Sequence, residues 1–251
     1  MCENYKIETL NNEIRNNYID NLAKKWDEST DTTKVKLTEF IKYVPKNSLI
    51  DFLARYELYN LIKDVPGDIW ELGVCGGKGL FSFIQSVFIN EPQYEWRNMV
   101  GFDTFDGFVS IHEKDNLNSS SNLKKKGAFK YDKYDHLIEL KEIHENYRYL
   151  KRRSQVKLVK GDIIKTIPKY LSENNGTIIS LLYLDLDLYE PTKFAIEKLW
   201  DRIPKGGIIA FDEAIMKEWE GEAIALNEVL GIGNYKLKRL PNVRAIYIVK
   251  E

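Results

Sequence analysis

Five acidic residues recur at comparable places along the 251-residue chain: Glu71, Asp103, Asp162, Asp185 and Asp212. Each lies in or just after an apolar run, namely Ile69 to Val74, Met99 to Phe102, Val156 to Val159, Ile178 to Leu184 and Ile208 to Phe211. Runs of this kind fit strands that are covered on both faces. In an open parallel sheet the carboxyl ends of the strands form the crevice where ligands bind, so the acids fall where chemistry would be done. Two of them have acidic neighbours, Asp187 and Glu213. Hydride transfer has no need of several carboxylates, whereas a hard divalent cation does. The cluster Asp185, Asp212 and Glu213 therefore favours a metal, with Mg expected ahead of Mn or Fe(II).

The first run continues into ELGVCGGKG, which joins Glu71 to Gly73, Gly76, Gly77 and Gly79. Glycines there let a ligand approach the backbone at a helix N-terminus. The turn is not a Walker A loop, because Gly73 and Gly77 enclose three residues and Lys78 is followed by Gly79. A dinucleotide fingerprint fits poorly, since Cys75 and Lys78 stand where its second and third glycines belong. An NAD-dependent enzyme remains the alternative. Asp103 does not choose, because a carboxylate at that point can accept from the ribose of NAD or of S-adenosylmethionine. DLDLYEPTKFAIE is not an EF-hand, and His112-Glu113 and His144-Glu145 lack the second histidine of a zinc-protease helix.

The elements that must position these residues alternate. Helical spacing follows the glycine turn over Leu80 to Ile89, and further helices are expected over His136 to Tyr149, Ile163 to Leu171, Pro191 to Arg202 and Glu218 to Leu230. The alternation predicts an α/β fold, a doubly wound, mostly parallel sheet. Tyr235 to Leu240 and Arg244 to Val249 alternate around Pro241 and Asn242, as in a terminal antiparallel hairpin. Residues 104–134 are polar and without period, which reads as a lid. Residues 1–65 read as an N-terminal helical cap or arm, with two helices split at Pro45, and 66–251 as the catalytic domain. These helices would cap the sheet or build a contact in a homo-oligomer. The net charge of −1 gives no field for nucleic acid or an anionic membrane. Cys2 and Cys75 form no CxxC pair, and the polar start has no signal-peptide character, so a cytoplasmic protein is expected.

Taken together, PGDIWELGVCGGKG, GFDTFDGF, VKGD, LYLDLDLYEPT, KGGIIAFDE and EWEGEAIALNE resemble the macrocin O-methyltransferase family over roughly residues 49–230. That resemblance implies a Rossmann-like class I methyltransferase that uses S-adenosylmethionine and a divalent metal to methylate sugar hydroxyls. It places the cofactor along Glu71, Gly73, Gly77, Asp103 and Asp162, with Asp103 on the ribose and Asp162 and the Ile163 backbone on the adenine. It matches Asp185, Asp212 and Glu213 to the metal-binding acids, and Asp187 to a motif acid of less clear role. Leu186 and Glu213 differ from the glycine and the second aspartate usual in the family. A metal-held alcohol must lose its proton, and Asp185 at the strand end is expected to be the catalytic base as well as a ligand. The lid and Lys217 to Glu222 would shape the acceptor pocket. A sugar carried on a nucleotide is the expected acceptor, for surface polysaccharide or natural-product glycosylation. A catechol-type O-methyltransferase would use the same metal logic.

Overall fold

The computed structural model describes residues 10–116 and 123–251, with side chains from Arg15 onward. Among them one sheet has the strands β1 Asp68–Leu72, β2 Met99–Asp103, β3 Val156–Lys160, β4 Ile179–Leu184, β5 Ile208–Phe211, β6 Lys238–Arg239 and β7 Ile246–Val249. The order is β3-β2-β1-β4-β5-β7-β6. The first five strands are parallel, and β7 runs antiparallel to both β5 and β6. The expected doubly wound sheet with a terminal hairpin is thus the fold observed. β6 is only two residues long, with both exposed, as befits an edge strand.

The helices are α1 Leu10–Glu28, α2 Thr33–Thr38, α3 Lys46–Ile62, α4 Lys78–Asn90, α5 Tyr134–Asn146, α6 Ile163–Glu173, α7 Tyr189–Leu199 and α8 Gly221–Val229. Strand residues alternate between two cores. Ile69, Leu181, Tyr183 and Ile208 pack with Leu58, Tyr59 and Ile62 of α3 and Leu80, Phe83 and Ile84 of α4. Trp70, Leu182, Leu184 and Phe211 pack with Ile167 of α6, Ile196 of α7 and Leu226 of α8. Each fully buried aliphatic or aromatic side chain contributes about 1.5–3 kcal/mol relative to exposure, so α3 is part of what holds the sheet. Between α1 and Pro45 there are only the short α2 and a 3-10 turn, Phe40–Lys42, rather than one longer helix ending at Pro45.

The described parts of 104–134 are tied together rather than open. Phe108 N donates to the Ala128 carbonyl at 3.0 Å, and Gly127 N donates to the Phe108 carbonyl at 2.9 Å. Phe108 and Phe129 both pack on buried Trp219, with ring centroids 6.2 and 5.8 Å away. Within this expected lid, 117–122 lie outside the described residues. No helix among the described residues is long and apolar enough to cross a membrane.

Candidate active site

Register brings the acids to one edge. Leu72 pairs with both Phe102 and Leu184, and Leu184 pairs with Phe211. The residues one step further on, Gly73, Asp103, Asp185 and Asp212, therefore form a row at the carboxyl ends of four adjacent strands. Strand order reverses between β1 and β4, so the row crosses the topological switch point. A cavity of about 640 Å³ runs along it, lined by Glu71, Gly73, Asp103, Asp162, Ile163, Asp185, Asp212 and Glu213. That volume suits a small-molecule site. Gly77 is absent from the lining. It starts α4 at φ +85°, and a Cβ there would meet Leu137 and Phe81 at 3.0 and 3.1 Å. Gly76 and Lys78 line the cavity on either side of it.

The glycine turn is shaped first by its neighbours. Gly73 has φ +95°, and a Cβ on it would stand 1.8 Å from the Asp185 carbonyl oxygen, so only glycine lets β1 and β4 end side by side. A Cβ on Gly79 would stand 1.8 Å from Glu71 Oε1. Asp103 holds the turn from β2: Oδ2 accepts from Cys75 N at 2.7 Å and Oδ1 from Phe105 N at 2.6 Å. Burial raises the Asp103 carboxyl above its ordinary value, and these backbone bonds oppose the shift. Asp162 caps α6, its Oδ1 accepting from Ile164 N at 3.0 Å. Cys75, Phe129, Asp187 and Asn242 have positive φ and all line the cavity. Such conformations cost about 1–3 kcal/mol each and gather at functional sites.

Three charged residues organise the acids: Arg55 and Arg244, which the sequence did not mark for the site, and Glu222, which closes the segment expected at the acceptor pocket. Arg55 of α3 is buried, with Nε 3.9 Å from Glu71 Oε1 and Nη2 3.8 Å from Asp185 Oδ2 and 4.0 Å from Asp212 Oδ1. Its guanidinium lies 4.6 Å from the Tyr183 ring centroid, and Tyr183 Oη donates to Asp212 Oδ1. Arg244, on the turn between β6 and β7, pairs with Glu213 and lies 3.8 Å from Asp212 Oδ2. Glu222 of α8 is fully buried. It accepts from Leu186 N and Asp187 N, both at 3.3 Å, and from Glu213 N at 3.0 Å. The expected pocket segment Lys217 to Glu222 therefore acts from behind, Trp219 backing Phe108 and Phe129 while Glu222 braces two loops. A charged residue inside an otherwise apolar helix face was the available signal for Arg55 and Glu222.

The acids exceed the cations that face them. Burial, then Asp212 and Asp187, push the Asp185 carboxyl well above the usual carboxylate range, against Arg55. Burial raises Glu71 to about 8 despite Arg55, Glu213 to about 9 despite Arg244, and Glu222 to about 8. Burial and Asp212 bring Asp187 to about 7. Glu213 Oε2 is buried without a hydrogen-bond partner. All the side-chain donors here are oxygens, the chemistry of a hard divalent cation. The residues thus suit such an ion, although among the described residues no three acids are gathered around a metal position. Asp185, Asp212 and Glu213 are instead each contacted by an arginine.

This sheet order, with a glycine turn and carboxylates sharing one cavity at the switch point, is that of a Rossmann-like enzyme, and its relatives make it an S-adenosylmethionine-dependent O-methyltransferase. The Macrocin-O-methyltransferase (TylF) family matches residues 48–228, and the chain belongs to that family. It is similar to the crystal structure of CalS11, calicheamicin methyltransferase, at 32% identity and TM-score 0.90, over 99% of this chain and 96% of that one. It is also similar to apo CalS11, described as a TDP-rhamnose 3'-O-methyltransferase, at 33% identity and TM-score 0.80, over 93% of each chain. The O-methyltransferase NovP shares the fold at 18% identity and TM-score 0.54, over 78% of this chain and 79% of that one. No curated protein matches the chain. The NAD-dependent alternative is thereby set aside.

Proposed function

We propose that the enzyme methylates a hydroxyl of a nucleotide-linked sugar. S-adenosylmethionine would lie along Gly73, Asp103, Asp162 and Ile163, and the acceptor over Asp185, Asp212 and Glu213. The observation that carries this reading is that both groups of residues line one cavity, so a methyl donor in one half faces a hydroxyl in the other. The activity of CalS11 on TDP-rhamnose supports a nucleotide sugar. So does Arg15 of α1, which lines the same cavity and has no ion-pair partner among the described residues, leaving a cation for a diphosphate. Residues 1–65 would be the cap that supplies Arg15 and Arg55, and 104–134 the lid over the domain formed by 66–251.

A divalent cation held by Asp185, Asp212 and Glu213 would supply Lewis-acid polarisation of the acceptor hydroxyl. Asp185 would receive the hydroxyl proton at a carboxylate oxygen. Burial and the neighbouring acids raise its proton affinity, as a proton acceptor requires. Asp103 would accept from the cofactor ribose while keeping its bonds to Cys75 and Phe105, and Asp162 with the Ile163 backbone would hold the adenine. The test is methyl transfer from labelled S-adenosylmethionine by EDTA-stripped protein, resupplied separately with Mg, Mn and Fe(II), on a panel of nucleotide sugars, free sugars and catechols. Metal-dependent labelling of a nucleotide sugar is expected. Transfer to catechols alone would overturn the acceptor class, full activity after chelation the metal role, and an active Asp185→Ala variant the base.

A further inference from the structure

Two guanidinium groups touch the acid cluster, and they differ in how they are held. Arg55 comes from the core side, with its side chain 7% exposed and in contact with Glu71, Asp185 and Asp212. Arg244 comes from the solvent side: its side chain is 46% exposed, while the Glu213 carboxylate it meets is only 3% exposed. It sits on a turn containing Asn242 at φ +64°, beside the two-residue edge strand β6. Asn242, Val243 and Arg244 all line the cavity.

We infer that Arg244 is a displaceable internal cation, which neutralises Asp212 and Glu213 until a divalent ion binds and then swings outward on its exposed turn. This rests on the metal reading given above. The physical argument is one of compensation. A carboxyl as buried as Glu213 must either hold a proton or face a positive group, and Arg244 is the cation that meets its ionised form in the ion-free protein. Arg55 does not reach Glu213, and Arg244 does. An exposed guanidinium gives up little when it returns to water. The unpaired Glu213 Oε2 and the Asp212 carboxylate are then open to an ion of higher charge. Ion and arginine compete for the same oxygens, so the apparent ion affinity is reduced by the fraction of molecules in which Arg244 is seated. Because the turn lines the cavity, loading the ion also moves one wall of the acceptor pocket. Ion binding would thus precede acceptor binding.

The test is titration of metal-free protein with Mn(II), with free ion read by electron paramagnetic resonance, for wild type, Arg244→Gln and Arg244→Lys. Arg244→Gln should bind Mn(II) about tenfold or more tightly than wild type, and Arg244→Lys, which keeps the charge, should stay nearer to wild type. In EDTA the Arg244→Gln protein should melt below wild type, and saturating Mn(II) should remove the difference. Equal or weaker Mn(II) binding by Arg244→Gln overturns the inference and leaves the metal reading standing. No binding by any of the three proteins removes both. If Arg244→Gln does not fold in EDTA, hydrogen exchange on wild type decides: amides of 242–245 should exchange faster with Mn(II), and unchanged or slower exchange overturns the inference.

Discussion

Arg55 Nη2 lies 3.8 Å from Asp185 Oδ2, so a side chain of the N-terminal helices reaches an acid at the end of the fourth strand. The same guanidinium faces Glu71 and Asp212, and it stacks on Tyr183, which itself donates to Asp212. Arg55 is a positioning residue for the acid cluster.

Replacing Arg55 by Ala removes the buried cation that faces Asp185 and Asp212 and lies beside Glu71. The expected loss is about 3–5 kcal/mol of stability, the range for breaking a buried pair from one side. Urea denaturation measures it, and equal midpoints for wild type and Arg55→Ala would contradict the assignment.

Gly73→Ala should be among the most damaging small substitutions in the chain. Its Cβ would collide with the Asp185 carbonyl at 1.8 Å in a backbone at φ +95°, and a loss of about 4 kcal/mol or failure to fold is expected. Gly76→Ala is the control, since its Cβ would meet only Tyr131 at an ordinary 3.6 Å. Thermal melts of the two variants should differ widely; similar melts would mean that the switch point tolerates a side chain.

For Asp103→Ala, calorimetry with S-adenosylhomocysteine should show binding weaker by about 1.5–3 kcal/mol, the range for hydrogen bonds to a charged group. The variant should also melt lower, because the bonds to Cys75 N and Phe105 N go with the carboxylate. A lower melting point with unchanged affinity would leave Asp103 as a brace for the turn and no more.

Glu71 makes stability depend on pH. Its folded value of about 8 lies above an unfolded value of about 4.3, so the folded state holds a proton that the unfolded state has released. The resulting stability is fully present below the unfolded value and is lost as pH rises towards the folded one, at about 1.4 kcal/mol per pH unit for one proton. Wild type should therefore lose more stability than Glu71→Gln between pH 5.5 and 8. Parallel stability curves for the two proteins would show that Glu71 is ionised throughout.

The sequence by itself determined the strands, their order of appearance and the acids at their ends. Apolar runs closed by Asp103, Asp185 and Asp212 need no partner to be recognised, because burial on both faces demands uninterrupted apolar residues. The glycine turn was legible for the same local reason, although the use of Gly77 was not: it is crowded by Leu137 of α5 and by Phe81 of the first turn of α4. Only the tertiary structure decided how the acids are compensated. Arg55 lies on α3, Arg244 on a hairpin turn and Glu222 on α8, three elements that meet the cluster from different directions. Periodicity reports which side of a helix is apolar, and an arginine within it does not say which charge it will meet. Charge compensation is a matter of distance through space, and that is set by how α3 and the β6–β7 turn dock on the sheet.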